Sequence, residues 1–257
     1  MNTSSDPLSQ SAIAPSIRRV PAGRIVTWLQ AGWHDVLANP IPSLAYGLLF
    51  GIGGDLILLA SLGRPHLFTA ALSGFFLLAP LLAVGLYELS RQHAAGTKPT
   101  FIDSLRAFRG NGRSIALFGL ALGTVTLIWE RASSIGFGLL GGTSGVNVKQ
   151  FLSQAIANSD NSLFLILWFV LGGMLALVTY ALGVVTAPLM LDRDANFATA
   201  TLASLKAFAT NTVTLLIWAA TIVVLTVLGF ATLLFGLVII MPVLGHASWH
   251  AYRDLVE

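Results

Sequence analysis

Residues 211–245 read NTVTLLIWAATIVVLTVLGFATLLFGLVIIMPVLG, without a single Asp, Glu, Lys, Arg or His. One helix over this whole stretch would be about 50 Å long, whereas about 20 apolar residues cross a hydrocarbon core of about 30 Å. The stretch therefore predicts two membrane-spanning helices that turn back at Gly229. A second uncharged run, from Asn161 to Leu191, is long enough for a further span.

The chain as a whole has the composition of a membrane protein. Its 257 residues are 55% apolar and only 10% charged, against about 25% charged residues in soluble proteins, and the mean hydropathy is +0.80. The absence of cysteine excludes disulfides, thiolate metal sites and cysteine nucleophiles. We therefore expect an all-α membrane protein with six transmembrane helices. The predicted spans cover about residues 43–62, 67–90, 114–134, 163–190, 212–229 and 231–251.

A three-part pattern repeats along this sequence. Each part has a short amphipathic helix that closes on Asn, then two apolar spans with a proline near the end of the pair. The short helices are Ala31–Asn39, Asp103–Asn111 and Ala203–Asn211, and the prolines are Pro80, Pro188 and Pro242. The pattern predicts three repeats of an interfacial helix plus a transmembrane hairpin, at about 26–95, 99–194 and 198–257. Together they form a single domain, 23–257, after a disordered tail, 1–22.

The short helices carry apolar residues three positions apart, which places each pair on one helical face. The pairs are Trp33 with Val36, Leu105 with Phe108, and Leu205 with Phe208, and the basic residues beside them are His34, Arg106 and Lys206. This arrangement predicts helices that lie in the membrane interface with the apolar side down. The closing Asn is expected to end its helix in the left-handed conformation or to cap the next span. The matched prolines predict kinks around a common centre.

Lys and Arg fall unequally on the two sides of this topology. Only Arg64, Arg131 and Lys149 lie on one side, and the other eleven lie on the side of the N-terminus. The positive-inside rule then places both termini in the cytoplasm of a bacterial inner membrane. The net charge of +3 is explained by this topology rather than by nucleic-acid binding. The expected partners are membrane lipids and other membrane proteins, and no nucleic acid.

The long external loop, residues 131–161, distinguishes the second repeat from the other two. Its second part, 148–158, has apolar residues at helical spacing and predicts a surface helix over the outer ends of the bundle. Loops of this length are often functional.

Ionisable residues at membrane depth are candidate functional residues because burying them in lipid is costly. Asp55, past the middle of the first span, is expected either to face the bundle interior as a proton or cation ligand, or to lie near the outer interface, solvated by a water pocket or paired with Arg64 or Arg131. Glu130 and Arg131 end the third span. As neighbours on a helix they need not pair with each other, and rather than a pair we expect each to snorkel or to meet Asp55 or Lys149.

A second group of candidates lies at the inner interface. His246 and His250 share one helical face at the i, i+4 spacing of metalloproteases, but the segment reads His-Ala-Ser-Trp-His and lacks the glutamate of that motif. A metal site would need a third ligand, for which Glu88 or His93 is available. The sequence contains no recognisable catalytic, cofactor-binding or metal-binding set, so we expect no cofactor and no metal.

Four stretches resemble a bacterial family of predicted integral membrane proteins of unknown function, some members of which are labelled as cytochrome c oxidase subunit I. They are Pro42–Phe50, Gly85–Arg91, Leu191–Asp194 and Leu244–Arg253. The resemblance covers roughly residues 26–256 and implies a multi-span inner-membrane protein. The oxidase label implies haem- and copper-binding histidines within the spans, and predicted spans two to five contain none. The plan of interfacial helix and hairpin is also similar to the membrane domain of some glycerophosphodiester phosphodiesterases, whose catalytic barrel is absent.

These observations leave three hypotheses for function. The first is a non-enzymatic accessory, assembly or scaffold partner of other membrane components. The second is a carrier or channel for a small solute or lipid, suggested by the matched prolines and Asp55. The third is a membrane enzyme that uses His246, His250 and Glu88.

Overall fold

The computed structural model describes residues 15–61, 82–141, 159–232 and 235–257, which are helical apart from short connections. The helices are α1 (Arg24–Ala38), α2 (Pro40–Ser61), α3 (82–94), α4 (Phe101–Leu105), α5 (Phe108–Gly141), α6 (Ser159–Gly183), α7 (Thr186–Arg193), α8 (Phe197–Thr210), α9 (Thr212–Ala231) and α10 (Leu237–Leu255). No β-strand occurs within these residues, where the only β-type pairing is an isolated bridge between Ile17 and Val256. The prediction of an all-α protein is confirmed.

Three helical segments of the described residues are long and apolar enough to cross a membrane: Phe108–Ser133, Ile166–Arg193 and Thr212–Ala231. A fourth is added if α1 and the first part of α2, which meet at an angle of 109°, count as one broken span. The predicted six spans are therefore confirmed only in part. Residues 67–81 of the predicted second span lie outside the described residues. The predicted sixth span forms α10, whose second half is too polar to meet the same criterion.

Helix α10 lies at the centre of the described structure and packs closely on α1 and α2. Glycine permits this approach: a Cβ atom on Gly32 of α1 would lie 2.6 Å from the Val243 carbonyl oxygen and 2.7 Å from the Ala247 nitrogen. Beside this contact Trp28 and Trp218, both fully buried, meet edge to face with ring centroids 5.7 Å apart. The helix that carries two of the candidate histidines is thus held in the core.

The two ends of the described chain meet each other. The Arg18 amide donates to the Leu255 carbonyl at 2.9 Å, and the Glu257 amide donates to the Ser16 carbonyl at 3.1 Å. The side chain of Asn211 also binds this segment: it accepts from the Val20 amide at 2.7 Å and donates to the Arg18 carbonyl at 2.8 Å. Residues 15–22 of the predicted tail therefore lie against the C-terminus, while residues 1–14 lie outside the described residues.

The three closing asparagines share one backbone conformation. Asn39, Asn111 and Asn211 have φ of −132°, −119° and −126° and ψ of 65°, 35° and 35°. The expected left-handed ending is therefore wrong. The alternative role as a cap also fails at Asn211, whose side chain makes no cap bond to α9. Its amide is instead used for the N-terminal segment, and that of Asn111 donates to the carbonyls of Met190 and Ala195.

The matched prolines behave differently from one another. Pro242 lies inside α10, whereas Pro188 lies in the first turn of α7, after a break at residues 184–185. Pro188 cannot continue the upstream helix because it lacks an N–H and its ring clashes with the carbonyl four residues earlier. Ser204 of α8 stabilises the break: its hydroxyl donates to the Ala181 carbonyl at 2.8 Å and accepts from the Val185 amide at 3.1 Å. Pro80 lies outside the described residues.

The three short helices do not place both apolar residues of each pair on one lipid-facing side. The first member of each pair is exposed, and the second is buried or packs against the core. The exposed fractions are 46% for Trp33, 43% for Leu105 and 45% for Leu205, while Val36 is buried and Phe108 and Phe208 are partly buried. The expectation of a shared lipid-facing pair is therefore wrong, because the second residue of each pair is needed for packing against the bundle.

Two predicted boundaries of the second repeat also change. Its short helix is broken after Leu105, where α4 ends, and resumes at Phe108 as the start of α5. At the other end α5 continues to Gly141, so the first part of the predicted external loop is helical. The predicted surface helix at 148–158 lies outside the described residues.

Candidate functional site

A buried carboxylate on α1 is the centre of the most polar cluster in the described core. Asp35 is only 4% exposed because its face of α1, with Gly32 and Val36, lies against α10. An isolated buried carboxylate is costly, so it requires hydrogen-bond donors around it. Helices α3 and α10 supply those donors.

Four side chains form a continuous chain of hydrogen bonds at Asp35. The Ser90 hydroxyl donates to Asp35 Oδ2 at 2.6 Å and lies 2.7 Å from His246 Nδ1. On the other side of the imidazole, Nε2 lies 2.9 Å from the Ser43 hydroxyl. Ser43, Ser90 and His246 are each at most 1% exposed. The chain therefore connects α2, α10, α3 and α1 inside the protein.

The hydrogen-bond inventory assigns the proton positions in this chain. Ser90 has one hydroxyl proton and gives it to Asp35, so its contact with His246 must use a proton on Nδ1. In the neutral imidazole Nε2 is then the acceptor for Ser43. Both ring nitrogens of His246 are thus occupied by serine hydroxyls. The imidazole has no free nitrogen for a metal or a substrate in this arrangement.

Two further histidines approach Asp35 from the more exposed side. His250 Nε2 lies 2.9 Å from Asp35 Oδ2, and His93 Nε2 lies 3.8 Å from Asp35 Oδ1. The His34 ring lies beside His93, with centroids 6.1 Å apart. His34, Asp35 and His93 each offer a donor atom, and these atoms all lie within 4.8 Å of one another. Together they are a candidate ligand set for a metal ion.

Glu88 belongs to a separate polar cleft on the other side of α3. It is 3% exposed and accepts two hydrogen bonds from Arg91, at 2.7 and 2.8 Å, and one from Gln92 at 2.6 Å. The bond to Glu88 raises the pKa of Arg91. The cleft has a volume of about 470 Å³ and also contains Asp103, whose pKa the hydrogen bonds from Thr100 hold below its ordinary value. Because Glu88 pairs with Arg91 and Asp103 pairs with Arg106, this cleft indicates structural ion pairing.

An apolar cavity of about 630 Å³ lies between the helices that have membrane character. Aromatic side chains from five helices line much of it: Phe50 of α2, Tyr87 of α3, Phe118 and Trp129 of α5, Tyr180 of α6 and Trp218 of α9. The indole N–H of Trp218 is fully buried and has no hydrogen-bond partner among the described residues. Hydroxyl groups of Thr126, Thr179, Tyr180 and Ser248 also line the cavity, and each donates to a backbone carbonyl.

The residues predicted as candidates are not brought together into one site. Asp55 is exposed on α2 and is not among the described residues that line the apolar cavity. Glu130 and Arg131 pair directly, with Arg131 Nε 3.0 Å from Glu130 Oε2, a contact that we did not expect between neighbours on a helix. The long, 75% exposed arginine side chain can fold back onto the glutamate beside it.

His246 and His250 lie close to a carboxylate, but it is not that of Glu88, the carboxylate considered as a ligand from the sequence. His246 and His250 both face Asp35, whereas Glu88 binds Arg91. Asp35, Ser43 and Ser90 were missed because their contacts are between distant parts of the chain. One signal was available: Asp35 is the only acidic residue in α1, next to a histidine.

Comparison with known proteins confirms the expected family resemblance. Residues 67–192 match the family model described as "Predicted integral membrane protein (DUF2189)". No curated protein and no solved structure matches the chain. The chain is therefore an integral membrane protein with several apolar helices.

Proposed function

We propose that this integral membrane protein has six spans in three repeats, with both termini in the cytoplasm of a bacterial inner membrane. Matched positions of the three short helices support the repeat. A small residue is buried in each (Gly32, Ser104 and Ser204), an exposed apolar residue follows it, and the closing Asn takes the same backbone conformation in all three. The pairing of the chain ends supports an even number of spans.

The topology can be tested in a chain that naturally lacks cysteine. A single cysteine in place of Glu257 should react with a membrane-impermeant maleimide only after the cells are permeabilised, because the C-terminus is cytoplasmic. A cysteine in place of Lys149, in the predicted external loop, should react in intact cells. The unmodified protein is the control. Reaction of the Glu257→Cys variant in intact cells would contradict the proposed topology.

For the role of the protein we propose binding of a lipid-like molecule rather than catalysis. The apolar cavity carries this proposal: its volume lies within the range of about 300–1,000 Å³ that is usual for ligand sites, and its lining is mostly apolar. The hydrogen bonds of Ser43, Ser90 and His246 to one another, in a core without solvent access, support the absence of catalysis.

The accessory or scaffold role expected from the sequence stays a prediction, because no contact or cavity of the described residues tests it.

Lipid binding can be tested by filling the cavity from α6. Ala176 lines the cavity, whereas Met174 on the same helix is 61% exposed and does not line it. Lipid should co-purify with the wild-type protein in detergent and be lost from Ala176→Trp, because the indole occupies the cavity. The matched control Met174→Trp adds the same ring on the outer surface and should keep the lipid, as measured by native mass spectrometry. Equal lipid content in both variants would refute the proposal.

A further inference from the structure

Four of the chain's five histidines converge on one buried carboxylate, and they do so with two different kinds of geometry. His246 and His250 contact Asp35 Oδ2 or the serine bound to it at hydrogen-bond distances. His93 lies further away, 3.8 Å from Oδ1, and His34 offers a ring nitrogen within 4.8 Å of both His93 and the carboxylate. This division separates groups that position the carboxylate from groups that are free to bind something else.

The spacing of the second set fits an ion better than direct hydrogen bonds. Asp35 Oδ1 and His93 Nε2 are 3.8 Å apart, too far for a hydrogen bond. Zinc ligands at about 2.0–2.2 Å from the metal lie roughly 3.4 Å from one another. The donor atoms of His34, Asp35 and His93, within 4.8 Å of each other, need side-chain adjustments of only about 1 Å to reach that spacing.

Exposure also suits a site that takes its ion from the aqueous side. Asp35 is buried, His93 is partly buried and His34 is exposed. Three protein ligands leave room for water in the remaining coordination positions. The cationic group nearest to His93 along the chain, Arg91, is held by Glu88 and so does not oppose a bound cation with a free charge.

The remaining contacts of Asp35 are those that usually support a metal-binding carboxylate. Ser90 and His250 hold Oδ2, which fixes the plane of the carboxylate and directs Oδ1 toward His93. His246 in turn holds Ser90, and Ser43 holds His246. Such outer hydrogen bonds orient ligands, and losing them typically costs about 10–100-fold in metal affinity.

We infer that His34, Asp35 and His93 bind one divalent transition-metal ion, such as Zn²⁺, at the end of the bundle where α1, α3 and α10 meet. Two imidazoles and one carboxylate suit zinc and its neighbours in the first transition row. The ion links Asp35 of α1 to His93 of α3, and these two residues are 58 positions apart in the chain. This site is independent of the apolar cavity and of lipid binding.

The test uses tag-free full-length protein in detergent, so that no added histidines contribute. Competition with a chromophoric chelator should show one Zn²⁺ per chain, and Co²⁺ should give the visible absorption of a low-symmetry site. His34→Ala and His93→Ala should each weaken Zn²⁺ binding at least tenfold. His34 is exposed, so the His34→Ala variant should fold like the wild type. The test therefore stays informative even if a variant of the buried ligand, such as Asp35→Asn, does not fold.

The fifth histidine, His66, provides a matched control. It lies outside the described residues, in the predicted turn of the first hairpin, and His66→Ala should bind Zn²⁺ like the wild type. Three results would overturn the inference: less than half an equivalent of Zn²⁺ on the wild-type protein, wild-type affinity in both His34→Ala and His93→Ala, or an equal loss of affinity in His66→Ala.

Discussion

Replacing Asp35 with alanine should lower the free energy of unfolding by about 1–3 kcal/mol, the usual cost of leaving a buried hydrogen-bond donor without its acceptor. The carboxylate accepts from Ser90 and lies 2.9 Å from His250. Without it, the Ser90 hydroxyl and the His246 Nδ1–H lose the acceptor at the end of their chain, in a core where water does not replace it. Asp35→Asn should lose less, because its amide oxygen still accepts from Ser90.

The measurement is the thermal and denaturant unfolding midpoint of the detergent-solubilised protein. It should be made with a chelator present, so that a bound metal does not contribute. Asp55→Ala is the matched control: Asp55 is exposed on α2, and its removal should change stability by no more than about 0.5 kcal/mol. If Asp35→Ala and Asp55→Ala were equally stable, the buried network would contribute nothing measurable to the fold.

These two aspartates also show how far sequence reasoning reaches at the site. Asp55 was identified because it interrupts an apolar run, which is a local signal. Asp35 lies in an amphipathic helix where polar residues are expected, so nothing local distinguishes it. Its importance depends on α10, which brings His250 to it from 215 positions away. The i, i+4 spacing of His246 and His250 can be read from the sequence. The hydrogen bonds that both ring nitrogens of His246 form with serine hydroxyls cannot.

The helices were more predictable than their interruptions. The fifth span, expected at 212–229, is observed as Thr212–Ala231, because an uncharged apolar run of this length is helical in any membrane environment. The matched prolines predict a kink near Pro188, but the exact position of the break, at 184–185, depends on Ser204 of another helix to satisfy the freed backbone groups. Periodicity and composition therefore predict elements, while contacts between distant helices decide where the elements bend and which polar residues are buried.

A glycine on α2 illustrates such a contact and gives the second large prediction. Pro242 has no N–H for the carbonyl of Val238, four residues earlier in α10. Gly47 lies against that carbonyl and the Pro242 ring: an added Cβ would overlap the carbonyl oxygen and lie 2.9 Å from the proline Cγ. Because the obstacle is backbone and a rigid ring, α2 and α10 must separate to admit a methyl group.

Gly47→Ala should therefore destabilise the protein by about 1–3 kcal/mol, the usual range for overpacking a core, although alanine is the better helix former by about 1 kcal/mol. Gly173→Ala on α6 is the matched control, since nothing lies within 4 Å of its added Cβ, and it should be neutral or stabilising. Opposite signs of the two stability changes separate the effect of helix packing from that of helix propensity. The unfolding midpoints of the two variants measure these stability changes directly. A shift of the same sign and size in both would mean that the close approach of α2 to α10 is not required by the fold.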